Sequence, residues 1–413
     1  MMLSRSRWVW AAWPSAESSP EQAARARQSS AALGTPWRMR HIGVNVVQTT
    51  EPLNRGPPPN AGAHTGYHST APGGRVALRF SLSSGPSMRT LPALIVAALV
   101  CGSPTEAQAP LEGTLVVVNK GASTVSLIAV ATGDLLATLP TGSGPHEVVA
   151  SADGRVAVVT DYGAGTPGHT LTVIDVPGRR VARTIELGSL TRPHGIAFLP
   201  GDSLVVVTSE TTQRVAVVRV ADGTVPRQLP TGAAGSHMLA VTADGARIYT
   251  GNIPTATVSE IDVAQGTVAR TWTVPSQPEA ITVSATGDEV WVGSNDRGLV
   301  SVLATATGAV TTAASGFGWP YRILLVPGGR LVLVPDLRGQ VLVAFDRASR
   351  AERHRFDLAG GGPQGITVTP DGRYAFQALS AQDRVLLIDL ERMEVIRTFD
   401  STGRPDGVAW ARP

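Results

Sequence analysis

The sequence has few of the residues that build disulfide frameworks, thiolate sites or nucleic-acid-binding patches. Its single cysteine, Cys101, excludes an internal disulfide and any cysteine-rich zinc site. Charged residues make up only 16% of the 413 residues, and a net charge of +3 gives little support to phosphate-backbone binding. Aromatic residues make up 5%, whereas 44 glycines and 30 prolines favour short strands joined by tight turns. We therefore expect no nucleic-acid partner and few helices.

The positive charge is concentrated at the start of the chain. Residues 1–87 contain nine arginines and three glutamates, a net charge of +6, so the remaining residues carry −3. This segment has no apolar periodicity of 2 or 3.6 and thus no face to bury. We interpret residues 1–87 as disordered, or as upstream sequence that is translated only conceptually, with the true start at Met88.

An apolar stretch follows Met88. Ten apolar residues, 91–100, stand between a short basic start and a run of small and polar residues that ends at Ala109. This is the layout of a secretory signal peptide, and ten residues are too few to span a bilayer. For residues 88–109 the sequence predicts a signal peptide that is cleaved after Ala107 or Ala109. It also predicts export to the periplasm or the exterior, and a mature chain without a transmembrane segment.

One short motif recurs seven times after the apolar stretch. Each copy starts at an anchor residue, and the third residue after the anchor is always aliphatic. The anchors are Pro145, Pro193, Ser236, Pro278, Pro320, Pro363 and Pro405, spaced by 42 to 48 residues. Each unit has room for four short strands separated by Asp-Gly, Thr-Gly or similar turns. Four antiparallel strands at this period are typical of a β-propeller blade.

The two ends of the repeat array complement each other. After Pro405 the chain has room for one strand, 407–411, whereas three strands, 114–118, 124–130 and 134–139, precede Pro145. Pairing them would complete a blade and remove open sheet edges. We therefore predict an all-β fold for residues 110–413. It is a single seven-bladed propeller closed by its C-terminal strand, and we expect a monomer.

Three segments of the repeats resemble a known family. Residues 116–128, 243–252 and 369–374 are similar to YVTN-type, YncE-like seven-bladed β-propeller repeats of bacterial extracytoplasmic and archaeal surface-layer proteins. The resemblance covers about residues 112–413 and implies the same fold. It implies no single activity, because a fold shared within a family does not fix one.

Two columns of side chains are predicted to meet at one mouth of the ring, because strand one begins where strand two ends in an antiparallel blade. The first column directly follows the anchors and consists of His146, His194, His237, Glu279, Tyr321, Gln364 and Asp406. The second column lies sixteen residues after the anchors and includes Asp161, Asn252 and Asp336, with Asn119 as its counterpart in the closing blade. Arg322, Lys120, Glu210 and Asn295 stand beside these columns. We take this mouth as the candidate ligand-binding site.

Three histidines and a carboxylate on consecutive blades also suggest a metal site. His146, His194, His237 and Glu279 are residue types that hold divalent metals. The alternative is that the histidines only belong to the way each repeat begins. No cofactor is otherwise predicted. The insertion at residues 163–169 is either a ligand lid, with His169 as a fourth imidazole, or a tolerated surface loop.

Three functions remain open from the sequence. The leading interpretation is an extracytoplasmic, non-enzymatic binding or scaffold protein that recognises a small ligand, peptide or protein at the channel mouth. The first alternative is a metal-dependent, lactonase-like hydrolase or lyase in which Glu279 or His237 acts as the base. The second alternative is a periplasmic accessory of a redox system.

Overall fold

A computed structural model describes residues 111–413, which form seven four-stranded antiparallel sheets arranged as the blades of a β-propeller. The predicted leader segments, 1–87 and 88–109, lie outside the described residues. The described chain contains 28 strands and one short 3-10 helix, Ile253–Thr255, so the predicted all-β fold class is confirmed. Within residues 111–413, no helix is long and apolar enough to cross a membrane.

The strands follow the repeat units. We number blades 1 to 6 from the anchors Pro145 to Pro363 and call the seventh the closing blade. The closing blade begins with β1 (Thr114–Asn119), β2 (Thr124–Ala129) and β3 (Leu135–Pro140). Blade 1 contains β4 (Pro145–Ala150), β5 (Val156–Gly163), β6 (Pro167–Asp175) and β7 (Arg180–Glu186). Blade 2 contains β8 (Pro193–Phe198), β9 (Leu204–Ser209), β10 (Arg214–Arg219) and β11 (Arg227–Pro230). Blade 3 contains β12 (Ser236–Val241), β13 (Arg247–Asn252), β14 (Thr257–Asp262) and β15 (Thr267–Thr273).

The remaining blades repeat the same order. Blade 4 contains β16 (Pro278–Val283), β17 (Glu289–Ser294), β18 (Leu299–Ala304) and β19 (Val310–Ser315). Blade 5 contains β20 (Leu324–Leu325), β21 (Leu331–Asp336), β22 (Val341–Asp346) and β23 (Glu352–Asp357). Blade 6 contains β24 (Pro363–Val368), β25 (Tyr374–Leu379), β26 (Arg384–Asp389) and β27 (Glu394–Asp400). The chain ends with β28 (Pro405–Ala411), which returns to the closing blade.

The predicted closure of the ring is confirmed. Strand β28 pairs antiparallel with β1, and the closing blade has the strand order β28-β1-β2-β3. The register matches Thr114 with Ala411 and Asn119 with Pro405. The indole of Trp410 also donates a hydrogen bond of 2.9 Å to the carbonyl of Glu112. The two ends of the described chain are thus joined within one sheet.

The apolar core is divided among the blade interfaces. Seven clusters of buried side chains each connect two neighbouring blades, one cluster for every interface of the ring. The aliphatic residues three positions after the anchors belong to this core, and all are buried except the half-buried Ile366. Because each blade is covered on both faces by its neighbours, the middle strands consist largely of valine, leucine and isoleucine.

The innermost strands share a bulge directly after the anchor. In blade 1, Pro145 pairs with Asp161 but Val148 pairs with Val159, so β4 carries one residue more than β5. The same shift occurs in blades 2, 3 and 6. A bulge of this kind redirects side chains and is frequent beside functional sites. In blade 1, it lies at His146 and Glu147.

Small residues allow the innermost strands to approach each other closely. A Cβ atom on Gly195 would lie 2.6 Å from the backbone nitrogen of Leu239 in the next blade. A Cβ atom on Gly365 would lie 2.2 Å from the carbonyl oxygen of Asp406. Three blades depart from this pattern, because the equivalent positions carry the long side chains of Glu147, Met238 and Arg322, of which Glu147 and Arg322 are charged.

Candidate functional site

The two predicted columns lie at the same end of the blades. The anchors pair with the second column, as in Pro145 with Asp161 and Ser236 with Asn252. The closing blade repeats the pairing with Asn119 and Pro405. The spacing of sixteen residues therefore reports the register of the first two strands correctly.

The side chains of the second column, however, are bonded within their own blades or to the loops that lead into them. The amide of Asn119 donates to the hydroxyls of Thr124 and Ser126 at 3.0 and 2.9 Å, and Asn252 donates in the same way to Thr257 and Ser259. Asp161 accepts from two equivalent threonines, while Asp336 accepts from the backbone N–H groups of residues 318, 319 and 339. We infer that this column fixes strands and loops.

The residues one position later reach the first column instead. Tyr162 contacts two of its histidines, Glu210 lies beside His237, and Asn295 hydrogen-bonds to Glu279. Lys120, the equivalent residue of the closing blade, lies 3.6 Å from Asp406. Successive side chains of a strand point to opposite faces, so a shift of one residue changes the surface that is reached.

A row of aromatic rings occupies the mouth at blades 1 to 3. The ring of His146 lies 4.3 Å from that of Tyr162 and 5.1 Å from that of His194, measured between centroids. The rings of His194 and His237 are 3.7 Å apart and inclined by 33°. Burial and the charge of Lys120 lower the pKa of His146 to about 3, and burial also lowers that of His194. Both are therefore neutral at pH 7.

His237 lies between two carboxylates. Its Nδ1 is 3.7 Å from Glu210 and its Nε2 is 3.7 Å from Glu279. Burial alone would lower the pKa of His237, but the two carboxylates outweigh it and the pKa lies above its ordinary value. Asn295 donates its side-chain N–H to Glu279, which leaves its amide oxygen buried without a hydrogen-bond partner. The amide orientation follows from the chemistry, since an ionised carboxylate can only accept.

Two further contacts cross the ring. Arg322 of blade 5 forms an ion pair with Glu147 of blade 1 and lies 3.6 Å from Glu279. The hydroxyl of Tyr321 donates at 3.3 Å to Asp406, a residue of the closing blade that is fully buried. The Arg322–Glu147 and Tyr321–Asp406 contacts connect blades that are not neighbours, so they close the centre of the mouth, whereas Arg322 and Glu279 belong to neighbouring blades.

The site therefore has a buried floor and a partly exposed rim. The floor consists of His146, Glu147, His194, His237, Glu279, Asn295, Tyr321, Arg322 and Asp406, each of which is largely withdrawn from solvent. The rim consists of Lys120, Tyr162, Arg192 and Glu210, whose side chains retain exposure, for example 39% for Lys120 and 22% for Glu210. Gln364 is half-buried, with a buried amide oxygen that has no hydrogen-bond partner.

The predicted metal ligands are brought together as neighbours. His194 and His237 approach each other through their ring faces, and Nδ1 of His146 is 2.8 Å from the carbonyl oxygen of Gly144. Among residues 111–413, no group of three or more histidine, cysteine, aspartate or glutamate side chains is arranged to hold a metal ion. The metal site stays a prediction that requires metal analysis.

The insertion in blade 1 does not bring His169 to the other imidazoles, as the lid alternative would require. It lengthens the hairpin of β5 and β6, which is connected at residues 164–166. His169 is 52% exposed and lies 3.3 Å from Glu186 on the outermost strand, so it does not join the other imidazoles. The residue that this hairpin places at the mouth is Tyr162, whose hydroxyl donates a 2.6 Å hydrogen bond to Glu210.

The sequence reasoning missed Glu147, Tyr162 and Arg192. Tyr162 could have been predicted from the sequence, because it occupies the same repeat position as Glu210, Asn295 and Lys120. Glu147 could have been noticed as a charged residue at a position where blades 2 and 6 carry glycine. Nothing in the repeat spacing pairs Glu147 with Arg322, which lies 175 residues further on.

Comparisons with known proteins support the fold and leave the family open. No family model matches the chain, and no curated protein is similar to it in sequence. A solved structure of Kuenenia stuttgartiensis hydrazine synthase is similar, with a TM-score of 0.59 and 17% identity over 70% of this chain and 98% of that chain. At this identity the similarity shows only a shared β-propeller fold. The resemblance to YVTN-type, YncE-like repeats remains a prediction.

Proposed function

We propose that this protein is an exported, non-enzymatic propeller that binds a peptide or protein partner on the mouth face of the ring. The proposed export depends on the sequence of residues 88–109, which has the layout of a signal peptide. The proposed binding depends on the division of the mouth into a closed floor and an exposed rim.

The closed floor favours a peptide or protein partner over a small molecule. Arg322 and Glu147 meet across the axis, and Tyr321 reaches Asp406 in the same way. Small-molecule sites usually enclose most of their ligand in a concave pocket. A shallow surface whose floor is filled by paired charges fits a partner that contacts the rim from outside better than a ligand that enters the channel.

The composition of the rim supports the same choice. Tyrosine and arginine dominate the energetics of protein interfaces, and Tyr162 and Arg192 lie against each other on this rim. The propeller holds the rim residues at the ends of well-packed strands, as with Tyr162 in β5, or in the short loops beside them, so little conformational entropy is lost on binding.

A peptide selection tests this proposal. A displayed library of random twelve-residue peptides is selected on the wild-type protein, and the affinity of the selected peptides is measured by titration calorimetry. We expect Tyr162→Ala to weaken binding by about tenfold or more, as for an interface anchor. Glu394→Ala, an exposed position on the outermost strand of blade 6, is the control and should leave affinity unchanged. Equal affinity for wild type and Tyr162→Ala would contradict the proposal.

A further inference from the structure

The residue before six of the seven anchors has an unusual backbone conformation; Trp319, before Pro320, does not share it. At this position Gly144, Gly235 and Gly362 have φ angles of 53°, 63° and 61°, in the left-handed region that favours glycine. Arg192 adopts the same conformation, with φ of 52°, and so do Gln277 and Arg404. A non-glycine side chain at such a position is strained, so glycine would be the easier residue there.

The strained Arg192 lies on the rim next to Tyr162 and Glu210. Its guanidinium carbon is 4.7 Å from the centre of the Tyr162 ring, a cation–π distance. Tyr162 in turn donates to Glu210 at 2.6 Å. Burial opposes ionisation of Glu210, but hydrogen bonding and charge from His237, with contributions from Tyr162 and Arg192, lower its pKa to about 2. The carboxylate is therefore ionised and partly exposed.

Glu210 and Tyr162 provide the acceptor and the aromatic face for a cation. The Glu210 carboxylate is 22% exposed, and the Tyr162 ring already accepts the guanidinium of Arg192. Glu279 and the unpartnered amide oxygen of Asn295 lie on the far side of His237 and do not belong to this pair. An aromatic face beside an ionised carboxylate suits a guanidinium or ammonium group.

We propose that Tyr162 and Glu210 form a subsite for the basic side chain of a partner, and that Arg192 occupies this subsite as an intramolecular stand-in. The inference rests on the proposed function, because it names the chemistry that a peptide would present to the rim. A partner's arginine or lysine would bind in place of Arg192, which then moves toward solvent.

Replacing Arg192 provides the decisive variant. Arg192→Gly removes the internal competitor and also relieves the backbone strain, so the variant is expected to fold. The probe is N-acetyl-arginine amide, titrated by calorimetry, with the lysine analogue for an ammonium group and the glutamine analogue as the neutral control. We expect Arg192→Gly to bind the arginine probe about tenfold more tightly than wild type, because a larger fraction of the protein is competent to bind.

The chain offers a matched control for strain relief. Arg404→Gly makes the same change at the equivalent position of the closing blade, where φ is 63°. It should bind the arginine probe as wild type does. Adding Glu210→Gln to Arg192→Gly should reverse the gain. Arg192→Asn serves as a second test variant, because asparagine tolerates this backbone conformation and carries no charge.

The outcomes separate this inference from the proposed function. No gain in Arg192→Gly and Arg192→Asn, both folded, would overturn the subsite, and so would an equal gain in Arg404→Gly. If selected peptides depend on Tyr162 but show no preference for basic residues, the subsite is wrong while the proposed function stands. If the arginine probe binds but no selected peptide depends on the rim, the proposed function is wrong while the subsite stands.

Discussion

Glu147 and Arg322 form an ion pair across the centre of the ring, between blades 1 and 5. The two side chains are 13% and 7% exposed, and Arg322 also approaches Glu279 at 3.6 Å. Glu147 lies in the bulge at the start of β4 and Arg322 lies just before β20, at the repeat position where blades 2 and 6 carry glycine. The pair therefore converts what could be an open channel into a closed floor, on which the proposal of a surface-binding partner depends.

The ion pair predicts a strong coupling between its two members. Glu147→Gln removes the negative charge that neutralises the buried guanidinium of Arg322. It should lower the free energy of unfolding by about 1–3 kcal/mol. Arg322→Met should be similarly destabilising, because it leaves Glu147 and Glu279 without their buried cation. The double variant should lose less than the sum of the single variants by about 1 kcal/mol or more in denaturant unfolding. Additive losses would show that the pair is not coupled.

Replacing Asp161 by asparagine is predicted to stabilise the folded protein at neutral pH. Burial raises the pKa of Asp161 to about 6, so the folded state binds its proton more tightly than the unfolded state does. The stability that follows is present at low pH and is lost as the pH rises from about 4 to above 6. Asp161→Asn should therefore raise the free energy of unfolding at pH 7.5 by about 1–3 kcal/mol. It should also flatten the pH dependence over that range.

The other blades supply the control for this substitution. Asn119 and Asn252 already fill the equivalent position and donate to hydroxyls like those of Thr170 and Thr172. Asn252→Asp should destabilise the protein at pH 7.5 and introduce the pH dependence that Asp161→Asn removes. If both substitutions changed stability in the same direction, the argument from burial would be wrong.

The contribution of His146 to folding stability should depend on pH with the opposite sign to that of Asp161. Its folded pKa, about 3, lies below its ordinary value of 6.5, mainly through burial. The folded state resists protonation, so the stability present above pH 6.5 is lost as the pH falls. At pH 5, His146→Gln should recover about 1–2 kcal/mol of the stability that wild type loses on acidification from pH 7. Chemical denaturation at both pH values measures this, with the exposed His169→Gln as a control that should show no recovery.

The metal hypothesis predicts a loss shared by three variants. If His146, His194 and His237 hold a metal, protein purified without a histidine tag contains a stoichiometric amount that each alanine variant loses. Because the rings of His194 and His237 face each other, we expect only substoichiometric metal in the wild type. Elemental analysis decides between these results, and a stoichiometric metal lost in all three variants would favour the enzyme alternative.

The repeat pattern was sufficient to predict the ring. Seven anchors at nearly constant spacing, each followed by a buried aliphatic residue, indicate strand register and blade number, because each unit supplies four strands and the two end segments complete the seventh blade. The single strand after Pro405 and the three before Pro145 likewise determine the closure. These features are local and repeated, so they can be read from one sequence.

The site was harder to predict than the fold. The spacing of sixteen residues identified paired positions, but the side chains that reach the mouth belong to the next residue, as with Tyr162 after Asp161. Register alone does not say which of two neighbouring side chains faces the axis. The bulge at His146 and Glu147 also turns side chains that a regular strand would direct elsewhere. Contacts across the ring, such as Glu147 with Arg322, have no local signal at all.

Hydrogen exchange on a complex with a selected peptide tests the central claim most directly. We predict that the peptide slows amide exchange in mouth-face loops 119–123, 161–168 and 209–213, which surround the rim residues. Exchange should stay unchanged in the turns at 152–155, 243–246 and 370–373 on the opposite face. Slower exchange confined to the opposite face, or to the outermost strands, would contradict the account.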